Sequence, residues 1–403
     1  MFGRLVGSGQ YRVQSSVNCP TAGFELQLLG TRFFLLINSQ PMDFPARQKK
    51  LQSELAPRRL DALLVSHLPN IRYLCGFTGS AGFLIVSESG STFFTDVRYD
   101  TQAREEVKGA KVIIPRKSVL EGLAVWLGNR QRKPNRWTIG VEAEYMTVAE
   151  RKRLGDQLPS GVRLKNVLSL VERMRMAKDE GELQSIRAAV KLGATLFDRA
   201  LEVLRPGVRE SEVAAEMEFA ARRGGAEEMS FQTIIASGAR SALPHGRASQ
   251  REIAAGGFVV CDFGVILAGY CSDQTRTVWM GAASPEARST YEAVKESQLA
   301  AIAAVRPGIT TGEVDAAARK VLRKEGLGRY FTHSTGHGVG LEIHELPRIA
   351  AGQKEVLQPG MVITIEPGVY FPGKWGVRIE DMVAVREGGC EVLTPTSKDF
   401  LAV

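Results

Sequence analysis

The chain has 403 residues, 44% of them hydrophobic and 24% charged, with a formal net charge of +8. That length exceeds one compact core and calls for two or three domains, and no apolar run approaches a membrane span. Eight basic residues face three acidic ones within the first 60 positions, and no basic stripe interleaved with aromatics follows. The charge therefore reads as that of a mildly basic soluble protein, not a nucleic-acid or membrane binder. Five cysteines (Cys19, Cys75, Cys261, Cys271 and Cys390), with no Cys-x-x-Cys, point to free thiols in a reducing, cytoplasmic setting.

In chain order, residues 1–41 show no sustained period, and their apolar run at 33–37 is too short for a secretory core. A helical pattern begins at Phe44, just after Met42, so residues 1–43 are expected to be an unstructured or non-native leader. Between about 60 and 165, β-rich runs at 62–65, 82–86, 91–95, 111–114 and 137–141 alternate with helical patterns at 98–107, 119–129 and 147–154. This alternation predicts an α/β domain over 44–168.

Residues 169–403 carry an internal repeat. Arg205-Pro-Gly-Val recurs as Arg306-Pro-Gly-Ile at an offset of 101, each copy following a long helical pattern, at 182–204 and 285–305. Gly256-x5-Asp262-x-Gly264 recurs as Gly360-x5-Glu366-x-Gly368 at an offset of 104. Each half thus offers two helices and then a strand–turn–strand unit bearing two carboxylates. Asp262 and Asp273 are the first pair, Glu366 and Glu380 the second. A carboxylate that follows four core-bound residues faces a dry interior, where it is costly unless paired or metal-bound. A pseudo-symmetric α+β domain would bring both hairpins to one place.

Four of the five histidines cluster in two tracts: His245 alone, and His333, His337 and His344 within twelve residues. The glycines around His337 argue for an extended segment, with one of His333 and His337 a ligand and the other its support. His67 reads as a surface or capping residue. Four carboxylates with one imidazole, His337, make a hard, oxygen-rich cage that favours Mn²⁺ or Co²⁺ over a closed structural zinc site. Two divalent cations would offset the four charges and make a hydroxide nucleophile near neutral pH.

The tract His333-Ser-Thr-Gly-His337-Gly-Val-Gly340, with Asp262-Phe-Gly, Ser272-Asp-Gln-Thr-Arg-Thr277, Thr364-Ile-Glu-Pro-Gly-Val-Tyr370 and Gly376-Val-Arg-Ile-Glu-Asp381, strongly resembles the proline-specific metallopeptidases, the Xaa-Pro aminopeptidases and Xaa-Pro dipeptidases (prolidases). The likeness covers about residues 44–400. It implies an N-terminal creatinase-type α/β domain before a pita-bread catalytic domain, and hydrolysis of Xaa-Pro bonds at peptide N-termini or in dipeptides. Asp262 would bind one metal and His337 with Glu366 the other, while Asp273 and Glu380 bridge. Manganese is expected first, with cobalt or zinc as alternatives. Glu366 would also take a proton from the bridging water, and His245 and His344 would hold the scissile carbonyl and its oxyanion. His333, Arg348, Tyr370 and Arg378 would line the substrate site, Arg348 matching a prolidase position that holds the substrate carboxylate. Gln274 departs from the aliphatic residue usual there, with a modest effect expected. The resemblance also implies a homodimer or tetramer.

Three other classes share parts of this pattern. A methionine aminopeptidase would not need the N-terminal domain. A metal-free creatinase-like amidinohydrolase or a non-catalytic binding module would be free to lose ligands, and all five positions are filled here.

Overall fold

The computed structural model describes residues 42–130 and 137–403, so the expected leader lies outside the described residues except for Met42 and Asp43. The Asp43 side chain accepts from the Ala46 amide at 2.9 Å and caps α1 (Phe44–Ser53), whose first turn also holds a proline. The first sheet contains β1 (Ala62–Val65), β2 (Phe83–Ser87), β3 (Gly90–Phe94), β4 (Ala110–Ile113), β5 (Trp137–Glu142) and β6 (Val162–Val167), in the order β4-β3-β2-β1-β5-β6. It is mixed: β1–β2 and β2–β3 pair antiparallel, and β1–β5, β5–β6 and β3–β4 pair parallel. Helices α2 (Leu68–Cys75), α3 (Asp100–Glu106), α4 (Val119–Arg130), α5 (Val148–Gln157) and α6 (Leu170–Arg175) accompany it.

Three of these elements, β6, α2 and the short α6, escaped the sequence pattern. In β6 the exposed Arg163 and Lys165 alternate with half-buried residues, so no apolar run marks it. In α2, an eight-residue helix is bounded by an early proline and by Gly76 at φ 84°. The helix expected from 98 starts later, because the Asp96 carboxylate captures the Arg98 amide and holds 97–99 in a 3₁₀ turn.

The catalytic part of the chain, made of two repeated halves, begins with α7 (Glu180–Val203) and α8 (Glu210–Arg223), then β7 (Glu228–Met229), β8 (Ile234–Ser237), β9 (Phe258–Phe263), β10 (Val265–Leu267), β11 (Tyr270–Cys271) and β12 (Gln274–Trp279). The pattern repeats as α9 (Pro285–Ala304) and α10 (Thr311–Lys324). After them come β13 (Gly336–Gly338), β14 (Glu345–Ile349), β15 (Val362–Ile365), β16 (Gly368–Phe371), β17 (Trp375–Arg378), β18 (Asp381–Arg386), β19 (Gly389–Val392) and β20 (Leu401–Ala402). Two main sheets result, β20-β12-β9-β8 and β14-β13-β15-β18-β19.

Side-chain alternation along the strands decides what faces where. In β9, Val259, Cys261 and Phe263 pack with Leu196 and Phe197 of α7 and Met217 of α8, which turns Asp262 to the other face. In β15, Ile363 and Ile365 pack with Tyr291 and Val294 of α9 and Ala318 of α10, leaving Thr364 and Glu366 on the opposite side. Each helix pair therefore covers the outside of its own sheet and leaves the acids on the inner faces. The halves meet where the Glu380 amide donates to Thr275 O at 3.1 Å and the Arg378 amide donates to Thr277 Oγ1 at 3.2 Å. No helix among the described residues is long and apolar enough to cross a membrane.

Candidate metal centre

The four carboxylates lie at the bases of the two hairpin units. Asp262 sits in β9 opposite Thr275, and Asp273 directly precedes β12 instead of lying on it. Glu366 directly follows β15 and Glu380 directly precedes β18, which pairs with β15 through Ile365 and Asp381. The turn expected between each pair is a further hairpin arm, β10–β11 in one half and β16–β17 in the other. Asp262, Asp273 and Glu380 are 8%, 5% and 2% exposed.

His337 reaches the same point from β13, which threads between β14 and β15. The glycines beside it are there for space. A Cβ on Gly336 would lie 2.0 Å from Thr364 O, and one on Gly338 would lie 2.2 Å from Leu346 O. The approach to His337 is pinned from α10: Asp315 accepts from Thr335 Oγ1 at 2.8 Å, and Arg319 donates to His333 O at 2.6 Å. His337 Nδ1 lies 2.9 Å from Gly338 O, so the neutral ring donates there and turns the Nε2 lone pair toward the acids. Nε2 is 3.6 Å from both Asp273 Oδ2 and Glu366 Oε1. Burial pushes His337 down to about 4, so these contacts hold a neutral ring and are not ion pairs.

Burial and mutual repulsion raise Asp273 and Glu380 well above the ordinary carboxylate range. Glu366 is pushed up to about 7, by burial and then by Asp262, against the opposing pull of Arg378. Arg378 is the cation closest in: it pairs with Asp262 and donates to Thr275 Oγ1 at 3.0 Å, Tyr370 Oη at 2.7 Å and Pro244 O at 3.0 Å. Burial opposes its charge, but Tyr370 and the acids raise it well above its ordinary value.

Among the described residues, one guanidinium against four acids leaves the charge unbalanced, and Asp262 Oδ1 is buried without a hydrogen-bond partner. Single donor atoms of Asp273, His337 and Glu380 lie within 4.8 Å of one another. An orphaned carboxylate oxygen, an imidazole lone pair and excess negative charge at one point fit divalent cations.

All five candidate ligands line a cavity of about 990 Å³. His245, His333, His344, Arg348 and Arg378 line it too. His344 stands edge-on to His337, with ring centroids 4.4 Å apart, and His245 is exposed. Tyr370 is buried behind the cavity wall, its hydroxyl 3.0 Å from His333 Nε2. Arg348 is exposed on β14 opposite His337. Gln274 is buried behind Asp273, and its amide donates to Gly193 O at 3.4 Å.

Other participants left no local mark in the sequence. Glu144, Tyr145, Ser169 and Glu172, which all precede α7, also line the cavity. Arg175 of α6, 2% exposed, pairs with Glu345 and with Glu342 (2.8 Å), which flank His344. His67, expected as a surface or capping residue, is the N-cap residue of α2, and its ring is engaged as well. It stacks on Tyr145 at 3.5 Å between ring centroids and sets Nε2 2.9 Å from Glu342 Oε1. Its partners come from distant stretches of chain, which local sequence context does not reveal.

A model of metallopeptidase family M24 matches residues 184–387, and a model of the creatinase/prolidase N-terminal domain matches residues 47–177. The chain belongs to metallopeptidase family M24. An Xaa-Pro dipeptidase of Pyrococcus horikoshii is 37% identical over 361 residues, 88% of this M24 chain and 98% of its relative. The solved Xaa-Pro dipeptidase from Bacillus anthracis superposes with a TM-score of 0.86 at 36% identity, covering 90% of this chain and 100% of that one. The X-Pro aminopeptidase from Thermotoga maritima gives a TM-score of 0.81 at 35% identity over 89% of this chain and 100% of its own. The architecture is the expected creatinase-type domain followed by a pita-bread catalytic domain. Membership of this metallopeptidase family implies divalent metal ions.

Proposed function

We propose that this M24 chain hydrolyses Xaa-Pro bonds, with Asp262, Asp273, His337, Glu366 and Glu380 holding two divalent cations, manganese in the first instance. The observation that carries this reading is the convergence of those five side chains on one cavity, with Arg378 as their close cationic partner. Divalent cations held there supply Lewis acidity and a source of hydroxide near neutral pH.

The chain's own residues do the rest. Arg378 and Thr275 fix Asp262 and Glu380 from behind; Thr275 Oγ1 donates to Glu380 Oε2 at 2.7 Å. Thr364 Oγ1 reaches Glu366 Oε1 at 3.4 Å, so Glu366 Oε2 is the atom assigned to take a proton from the attacking water. His245 and His344, both on the cavity wall, are assigned to the scissile carbonyl and its developing charge. The bond before proline is a tertiary amide and has no N–H to grip. A site that holds the amino terminus and the carbonyl needs none.

Arg348 favours dipeptides within this reading. Its guanidinium is exposed at the cavity, and no acid among the described residues pairs with it. A free guanidinium there suits a substrate's terminal carboxylate. The test is hydrolysis of Ala-Pro, Gly-Pro and Ala-Pro-Ala by protein reconstituted with Mn²⁺ or Co²⁺, beside exhaustively chelated protein. Full activity without metal overturns the mechanism, and cleavage of peptides lacking proline at equal rates overturns the substrate class. Size-exclusion chromatography tests the homodimer that accompanies this reading.

A further inference from the structure

The backbone at the start of α8 and that at the start of α10 are copies of one another. Gly207 N donates to Ile253 O and Glu210 N to Arg251 O; Gly308 N donates to Leu357 O and Thr311 N to Glu355 O. The side chains differ. Glu210 corresponds to Thr311, and both are 0% exposed. The Thr311 hydroxyl is buried with no hydrogen-bond partner among the described residues, whereas the Glu210 carboxylate is filled with donors. Its Oε1 accepts from Ser237 N and Oγ, both at 2.8 Å. Its Oε2 accepts from Ser249 N at 3.1 Å and Ser249 Oγ at 2.6 Å. Arg240 Nε reaches both oxygens, at 3.3 and 3.1 Å. A buried carboxylate is therefore dispensable for this architecture, since the second half keeps the same backbone bonds without one.

What distinguishes the first half is the loop between Ser237 and Ser249. Glu210 ties its two ends together and holds Arg240 inside it. Arg240 Nη2 in turn donates to Arg247 O at 2.6 Å, across the stretch that carries His245. Pro244 O in the same stretch accepts from Arg378 at 3.0 Å, which links the loop to Asp262. His245 and Arg247 both line the cavity. We propose that Glu210 is a positioning residue that braces the 237–249 loop and thereby presents the His245 imidazole to the substrate carbonyl. The second half needs no such brace because His333, His337 and His344 are carried by other segments. This inference rests on the role proposed for His245.

The decisive variant is Glu210→Gln. An amide nitrogen cannot accept, so it must abandon the donors of either Ser237 or Ser249. With the metal-loaded full chain and Ala-Pro, kcat/KM should fall about 10- to 100-fold, the usual size of a lost supporting contact, while bound metal stays at the wild-type level. Glu210→Gln combined with His245→Ala should lie within about twofold of His245→Ala alone, because both act through one imidazole. Losses that multiply instead would make Glu210 a general structural residue and overturn the proposal. Ser249→Ala keeps every backbone bond and removes one hydroxyl donor, and it should lower kcat/KM several-fold in the same direction; no change would count against the brace. Hydrogen exchange reads the brace without any activity. Glu210→Gln should speed exchange within 237–249 and leave α8 unchanged, and unaltered exchange in the loop overturns the idea. Faster loop exchange in a protein inactive on all proline peptides would refute the substrate reading and leave the brace standing.

Discussion

Replacing Glu366 by Gln should stabilise the metal-free protein and weaken the metal-loaded one. Burial and the neighbouring Asp262 push Glu366 from 4.5 up to about 7. A carboxyl whose folded value lies above its unfolded value holds its proton more tightly when folded. Its penalty is absent below about pH 4.5, grows as pH rises through the interval, and is complete above about 7. The gap corresponds to about 3 kcal/mol at pH 8 and to less than about 1 kcal/mol at pH 5. Gln has the same shape and no charge, so the variant escapes this penalty. Urea unfolding of exhaustively chelated wild type and Glu366→Gln at both pH values reads the difference directly. At pH 8 the variant should be more stable by about 3 kcal/mol in urea, and thermal scans should show a Tm higher by roughly 3–6 °C. At pH 5 the two should nearly coincide. Restoring Mn²⁺ should reverse the order, because an amide is a poorer ligand than a carboxylate. A metal-free variant no more stable than wild type at pH 8 would refute the reasoning, since Glu366 would then carry no buried, repelled charge.

Three more outcomes are expected. His337→Ala should abolish hydrolysis and lower bound Mn²⁺ measured by elemental analysis, because it removes the imidazole aimed at Asp273 and Glu366. Arg348→Ala should lose kcat/KM on Ala-Pro by about 10- to 100-fold while sparing Ala-Pro-Ala, the size of a lost charge-assisted contact; equal losses on both would remove Arg348 from carboxylate binding. Arg276→Met should lower stability by about 3 kcal/mol in thermal scans, because it takes the donors from the carbonyls of Thr396 and Ser397 and leaves the buried Asp381 with Lys398 and Gln298 alone.

The repeat offsets were enough to place Asp262 with Glu366, because strand alternation is a local property and both copies keep it. The same locality explains what stayed hidden. Nothing beside Asp262 announces Arg378, which meets it from the other half. Nothing beside His67 announces Glu342. β6 lacked an apolar run because its edge position leaves Arg163 and Lys165 exposed. Glu210 was within reach, since it lies in the short stretch, 209–211, where the two Arg-Pro-Gly segments differ before matching again at Glu212 and Glu313. A mismatch acquires meaning only when the packed loop is seen beside it.

The division of the centre between the repeats also sets a schedule. A polypeptide is made from its amino end, and the candidate ligands arrive as Asp262 and Asp273, then His337, Glu366 and finally Glu380. The last strand, β20, closes onto β12 only at Leu401 and Ala402. A growing chain therefore owns an acidic half-cage until His337, Glu366 and Glu380 have followed. On the proposed reading, nothing able to cut a peptide exists before Glu380 is made. A chain broken off before Glu380 should then be an inert fragment, not a peptidase with relaxed selectivity.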